Sequence, residues 1–228
     1  MALGTLGQDD WVISTVLKTQ LEAGMKGFFI EAGAADGGTD SNTLVLERTY
    51  GWTGLLVEPN GRFFKQLSSH RTAHCRRCVL SDRDGEIDFI EAGYFGAAPD
   101  QVRRVFETRG LSIDNHQNYK LDADQTPAKR SVLPARTLST LLDEIDAPEV
   151  IDYFSLDVEG SEVFALNGFP WGRRRIRAIT VETRFFAGDV LIDHDHRPEV
   201  RRILEAHGMV YAKDLQIDDC YVDPTLVG

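Results

Sequence analysis

Three cysteines in 228 residues are too few for a disulfide framework. Cys75-Arg-Arg-Cys78 has CxxC spacing, but no second cysteine pair exists to complete a zinc site. A thioredoxin-type pair would open a helix; this one runs into the apolar Val79-Leu80 and reads as buried or half-buried free thiols. A reducing, cytoplasmic setting is the expectation that follows. No apolar run approaches the roughly 20 residues of a membrane span. Met1 to Asp10 lacks the basic region and apolar core of a signal peptide. Positive charge is also scarce: 25 Lys and Arg stand against 36 Asp and Glu, a formal net charge of −11. That balance argues against a general binder of nucleic acid or anionic membrane. Arg103-Arg104 and Arg173-Arg174-Arg175 are local basic clusters, read either as patches or as solvated faces.

What remains is ordinary globular material, 42% hydrophobic and 27% charged. The length suits one α/β domain over residues 1–228, large enough to bury roughly 70% of its unfolded surface. Strand and helix patterns alternate, predicting a doubly wound, mostly parallel sheet. A helix is expected from Trp11 to Ala23, ended by Gly24. A short buried strand, Phe28 to Glu31, follows. Ser41-Asn42 would cap a helix reaching Tyr50. Further strands are expected at Gly54–Glu58, Cys78–Leu80, Glu86–Ile90, Ser131–Ala135, Asp152–Asp157 and Ile176–Glu182. Helices are expected at Arg62–Ser68, at Thr137–Glu144 with Thr137 as cap, and at Pro198–His207. Met209–Lys213 and Gln216–Tyr221 read as a terminal strand pair. Residues 93–130 break this rhythm. They form a polar segment with one helical patch (Gln101–Thr108), long enough to be a lid or binding insert.

Four acids mark the carboxyl ends of expected parallel strands: Glu31, Glu58, Asp157 and Glu182. Open α/β sheets bind ligands over that edge, so the four should meet in one crevice. The first strand leads into Gly33-Ala-Ala-Asp36-Gly37-Gly38, whose glycines allow a tight turn and close approach of a ligand to main-chain atoms. The pattern is not GxGxxG. Asp36 within it would repel a pyrophosphate and favour a cationic ligand, and S-adenosylmethionine carries both a sulfonium and an ammonium. Glu58, about 25 residues beyond Gly33, is placed to accept hydrogen bonds from ribose hydroxyls. NAD stays open on this feature alone. A terminal strand pair adds an antiparallel edge, which class I methyltransferases share.

Phe29-Ile-Glu-Ala-Gly-Ala-Ala-Asp-Gly37 with Ser41-Asn-Thr43 and Leu46-Glu47 resembles the FkbM family of S-adenosylmethionine-dependent methyltransferases. Gly51-Trp-Thr-Gly-Leu-Leu-Val-Glu-Pro-Asn60 resembles it too. So do Ile151-Asp-Tyr-Phe-Ser-Leu-Asp-Val-Glu-Gly-Ser-Glu162 and Leu166-Asn-Gly-Phe-Pro170. The resemblance spans residues 28 to 182 and leaves 93–130 unmatched. It implies a class I, Rossmann-like fold, with a seven-stranded sheet and an antiparallel C-terminal strand. It also implies O-methylation of a sugar, glycan or small metabolite. The candidate cofactor contacts are Glu31, Gly33, Ala34, Asp36, Asn42, Glu58, Pro59, Ser81, Asp82 and Asp157. Glu31 stands where the family commonly has Asp, yet its longer side chain would still reach a ligand ammonium, through water if necessary.

Methyl transfer leaves the protein to align an acceptor oxygen and handle its proton. Asp157 is the leading candidate, as general base or orienting group, or merely as the cap of its turn. Glu182 and His194 join it as catalytic candidates. Asp157 and Glu182, with Glu159 a further possibility, offer hard oxygen ligands for Mg or Mn. The polar stretch His194-Asp-His196 would add ligands or a base, or be a solvated loop. His116 is a second histidine candidate, and Tyr94, Phe95, His116 and Tyr119 would line the acceptor pocket or anchor the insert. Glu162 would open the next helix. Two further readings stay beside this one: an NAD-dependent oxidoreductase, and a methyltransferase-like binding module without catalysis. Oligomeric state is left open.

Overall fold

Phe28–Ala32 forms β1, buried at every position. Its alternation sends Phe28, Ile30 and Ala32 into one hydrophobic cluster and Phe29 into the other, as a period of two requires. This central strand belongs to a computed structural model that describes residues 7–92, 95–97, 129–187 and 190–227. The strands that follow are β2 (Thr53–Val57), β3 (His74–Arg76), β4 (Val79–Leu80), β5 (Gly85–Ala92), β6 (Phe95–Ala97) and β7 (Lys129–Arg136). Next come β8 (Val150–Leu156), β9 (Arg175–Glu182), β10 (Arg184–Ala187), β11 (Val190–Asp193), β12 (Val210–Leu215) and β13 (Asp218–Val222).

Seven strands make the main sheet, in the order β12-β13-β9-β8-β1-β2-β3. β1, β2, β3, β8 and β9 pair in parallel, while β13 runs antiparallel to both β9 and β12. The expected doubly wound sheet with an antiparallel C-terminal strand is therefore present. A second sheet, β4-β7-β5-β6, and the hairpin β10-β11 stand apart from it.

The helices are α1 (Gln8–Trp11), a π-helical turn (Val12–Val16), α2 (Lys18–Glu22), α3 (Leu44–Arg48) and α4 (Gly61–His70), followed by α5 (Leu138–Glu144), α6 (Glu162–Asn167) and α7 (Arg197–Ala206). Leu138, Leu141, Leu142, Ala165, Leu166, Val200, Ile203 and Leu204 of α5, α6 and α7 cover one face of the main sheet. Trp11, Val12, Leu17, Leu21, Leu46 and Leu67 cover the other. Apolar area removed from water on both faces supplies the main driving force. Among the described residues no helix is long and apolar enough to cross a membrane.

Several expectations are corrected. The single helix from Trp11 to Ala23 is broken by the π turn, in which the Leu17 N–H bonds the Val12 carbonyl at 2.8 Å. Ser41 and Asn42 do not cap a helix; α3 starts at Leu44, after Thr43, without a side-chain cap, and Ser41 and Asn42 donate to the buried Glu31 and to Ser155. Cys78–Leu80 does not enter the main sheet. His74–Arg76 pairs with β2 instead, and Val79–Leu80 pairs with β7. No strand was expected where the β10-β11 hairpin forms. Thr137 does cap α5, its hydroxyl accepting from the Thr140 N–H. Most of the 93–130 segment, with Tyr94, His116, Tyr119 and the 101–108 patch, lies outside the described residues, as does the side chain of Phe95.

Candidate active site

The four acids expected at strand ends lie on four adjacent strands, in the order β2-β1-β8-β9. Glu31 is in β1, Glu58 and Asp157 directly follow β2 and β8, and Glu182 ends β9. Beside them opens a cavity of about 210 Å³. The loop after β1 forms its rim. Gly33 and Ala34 both donate to the Val57 carbonyl, at 3.0 and 3.1 Å, and the Asp157 N–H donates to the Ala32 carbonyl at 3.1 Å. Gly33 has φ +82°, and a Cβ there would sit 1.8 Å from the Asp157 carbonyl oxygen. Only glycine fits.

Glu31 is buried and committed to its own neighbours. Its Oε2 accepts from Ser41 Oγ (2.9 Å), Thr43 Oγ1 (2.7 Å) and Arg71 Nη1 (3.4 Å), and its Oε1 accepts from the Asn42 N–H (2.7 Å). The Arg71 side chain has no exposed surface. It also donates to Glu47 (2.9 Å), the Gly37 carbonyl (3.2 Å), Ser41 Oγ (3.0 Å) and Thr43 Oγ1 (2.9 Å). One guanidinium thus ties β1, the rim loop and α3 together, with the multidentate geometry that arginine favours.

Asp36 is not among the cavity-lining residues. Its carboxylate closes its own turn, accepting from the N–H groups of Gly38 (2.9 Å) and Thr39 (2.7 Å) and from the Thr39 hydroxyl (2.9 Å). Partial burial opposes its charge, but these donors and His70 outweigh it and hold the carboxyl below its usual range.

Glu58 does face the cavity. Each oxygen accepts one backbone N–H, from Ala35 at 2.9 Å and Asn60 at 2.7 Å. Burial pushes its pKa up to about 7, aided by the nearby Glu91 and Asp157 charges and opposed by those two bonds. Asn60 in turn caps α4, accepting from Arg62 and Phe63. Apolar wall is supplied by Val57, Pro59, Phe63, Val79, Leu80 and Phe89.

Asp157 is exposed at the cavity, with Glu31, Glu162 and Glu182 as its acidic neighbours. Burial pushes it up to about 6, with Glu162 and Glu31 adding repulsion and a hydrogen bond from Glu182 pulling the other way. Glu182 is raised well above the ordinary range by burial and by the Asp157, Glu159 and Glu162 charges. The two carboxyls titrate as a pair, in which Glu182 keeps its proton to higher pH than Asp157. Glu162 Oε1 accepts from the N–H groups of Val158 and Gly160, each at 3.1 Å, fixing the turn after Asp157. Its Oε2 lies 3.0 Å from His196 Nε2. His194 stacks on His196 with ring centres 4.9 Å apart. Burial, then the neighbouring imidazole, lowers the His194 pKa, and its buried Nε2 has no partner.

The cavity thus gathers Glu31, Gly33, Ala34, Asn42, Glu58, Pro59 and Asp157. Ser81 and Asp82 are outside its lining, Ser81 Oγ donating to Asp82 at 3.3 Å on the exposed side. Glu182 and His194 are also outside its lining. The expected divalent cation at Asp157 and Glu182 finds no support in the donor set. Among the described residues no group of three or more His, Cys, Asp or Glu is arranged to hold a metal ion. Arg71, Ser155 and Asn60 were not anticipated. A lone arginine at a helix end gives no periodic signal, and Ser155 reads as one more residue of a buried strand. Asn60, before a helix, did carry a capping signal.

Residues 31–211 match the sequence pattern of the methyltransferase FkbM domain. Comparison with curated proteins gives no match. Among solved structures, a methyltransferase FkbM from Methylobacillus flagellatus KT is similar over 86% of this chain and 43% of its own, at 12% identity and a TM-score of 0.46. A structure from Galdieria sulphuraria, described as a sarcosine dimethylglycine methyltransferase, is similar over 91% of this chain and 63% of its own, at 13% identity and a TM-score of 0.40. The chain spans less than two thirds of either.

Proposed function

The chain belongs to the FkbM methyltransferase family, and from that premise we propose that its cavity holds S-adenosyl-L-methionine and that it methylates a hydroxyl of a sugar, glycan or similarly small metabolite. The observation that carries the cofactor reading is the charge of the cavity. Its described lining includes Glu31, Asp40, Glu58, Asp157 and Glu159 and no Lys, Arg or His. A dinucleotide pyrophosphate would meet only repulsion there, whereas a sulfonium and an ammonium are attracted. Gly33 lets the rim pack main chain to main chain against Asp157, and Glu58 retains lone pairs for ribose hydroxyls beyond its two backbone donors.

When bound, the cofactor supplies the electrophilic methyl group and its sulfur leaving group. The protein's share is alignment and proton handling. Gly33, Ala34, Asn42, Glu58 and Pro59 hold the ligand side, with Asp36 and Glu31 shaping the rim. Asp157 accepts the acceptor's hydroxyl proton as its oxygen becomes the ether oxygen. Its raised pKa places it nearer neutrality than a free carboxyl, which suits a general base. Glu182 steadies the Asp157 carboxylate by hydrogen bonding. Free thiols at Cys75, Cys78 and Cys220 agree with a reducing, cytoplasmic setting.

The test is a calorimetric titration with S-adenosylhomocysteine, joined to a screen of methyl-labelled cofactor against glycans and hydroxylated metabolites, with magnesium or manganese and with chelator. Label recovered as an alkali-stable methyl ether supports the reading. NAD binding that S-adenosylhomocysteine cannot displace, or label found only on nitrogen or carbon, overturns it.

A further inference from the structure

We propose that Asn42 directly receives the ammonium of the cofactor's amino-acid end, and that Glu31 holds Asn42 in place for it. The proposal rests on the cofactor reading above and assigns one subsite within it.

A carboxylate offers about four lone-pair sites. Here Ser41 Oγ, Thr43 Oγ1 and Arg71 Nη1 crowd Oε2, and Oε1 takes the Asn42 N–H, which leaves it one further site. Glu31 lines the cavity, but most of its acceptor capacity is spent on its own protein neighbours.

Asn42 is in the opposite condition. Its backbone is fixed to Glu31 at 2.7 Å, and its Nδ2 donates to Ser155 Oγ at 3.0 Å. Its Oδ1 is buried without any partner. Leaving a buried carbonyl oxygen unbonded costs free energy that a donor would recover. No Lys, Arg or His in the described lining is available to supply one. Asn42, Glu31 and Ser155 all line the cavity.

Position agrees with chemistry. Glu31 and Ser155 are opposite each other in the β1-β8 pairing, so Asn42 bridges those two strands. Glu58 follows β2, on the other side of β1. A ligand whose ribose meets Glu58 therefore extends across β1 with its amino-acid end toward Asn42. An amide turned the other way would accept from the Ser155 hydroxyl and present an N–H, and aspartate at this position separates the two orientations.

Titration of wild type, Asn42→Ala and Asn42→Asp with two probes tests the assignment. The probes are S-adenosylhomocysteine and 5′-methylthioadenosine, which lacks the amino-acid end. Asn42→Ala should weaken S-adenosylhomocysteine roughly tenfold or more, the scale of one hydrogen bond to a charged donor, and leave 5′-methylthioadenosine unchanged. Asn42→Asp should bind S-adenosylhomocysteine at least as well as wild type. Equal loss of both probes in Asn42→Ala would reveal a rim support and overturn the proposal. Unchanged S-adenosylhomocysteine binding in Asn42→Ala would do the same, as would loss in Asn42→Asp. Wild type that binds neither probe would bring down the cofactor reading itself.

Discussion

The Cβ that Gly33 lacks would stand 1.8 Å from the carbonyl oxygen of Asp157. The loops after β1 and β8 thus touch through main chain, at the point where the cofactor rim meets the leading candidate for base. Gly33→Ala cannot be absorbed by a side-chain rotation, because the obstacle is backbone and φ is +82°. It should lower S-adenosylhomocysteine affinity by at least tenfold and destabilise the fold by roughly 1–3 kcal/mol, as overpacking and left-handed strain usually do. Titration calorimetry and urea denaturation read the two effects separately. Wild-type affinity in Gly33→Ala would show that the rim does not support the ligand.

Glu58 makes stability depend on pH in a definite direction. Its folded pKa of about 7 lies above the usual 4.5, so the folded state holds its proton more tightly than the unfolded chain. Its favourable contribution is complete below about pH 4 and is lost as pH rises through about 7. The difference amounts to about 3 kcal/mol. Glu58→Gln loses one of two backbone bonds, since an amide has a single acceptor oxygen, and that loss is independent of pH. The variant should therefore gain stability relative to wild type between pH 4 and 8. Urea denaturation across that range measures it, and a constant difference at all pH values would refute the assignment.

The sequence made the sheet edge readable because strand ends leave a simple trace: an apolar run, then an acid, then glycine or proline. Glu58-Pro59 carries it outright and Asp157 carries it with Gly160 three residues on, and both acids border the cavity. The arrangement of donors left no such trace. Asp36 and Glu31 were read on charge alone, but Asp36 folds back on Gly38 and Thr39, and Glu31, although it lines the cavity, accepts from four donors of its own chain. Arg71, 40 residues from Glu31 in sequence, completes that network only once β1 and α4 are packed. The second sheet escaped notice for a related reason. Val79-Leu80 is apolar enough for either sheet, and only its pairing with β7 decides.

Arg71 should matter more for folding than any residue of the cavity wall. It is buried against Glu31 and Glu47, and removing it leaves two carboxylates without their counter-charge. Breaking one partner of a buried ion pair typically costs about 3–5 kcal/mol. Arg71→Met should fall in that range by urea denaturation. Arg71→Lys should recover only part of the loss, because one ammonium cannot reach Glu47, Thr43 and the Gly37 carbonyl together. A loss below about 1 kcal/mol in Arg71→Met would mean that the network is solvated and contributes little.

Asp157 and Glu182 allow the sharpest test of the proton's route. Asp157→Asn keeps the turn that Glu162 fixes, so S-adenosylhomocysteine binding should persist while turnover falls by about 10²–10⁴, the usual range for a general base. In wild type the base must be ionised, so the rate should rise with pH through about 6, where Asp157 loses its proton. Glu182 shapes that limb as a neutral donor. Glu182→Gln still donates to Asp157 and should leave the limb near its wild-type position. Glu182→Leu removes the donor that lowers the Asp157 pKa, so the limb should move to higher pH with cofactor affinity unchanged. If the limb were to shift equally in both variants, Glu182 would be acting as a charge, and the pair's proton would have to be placed elsewhere.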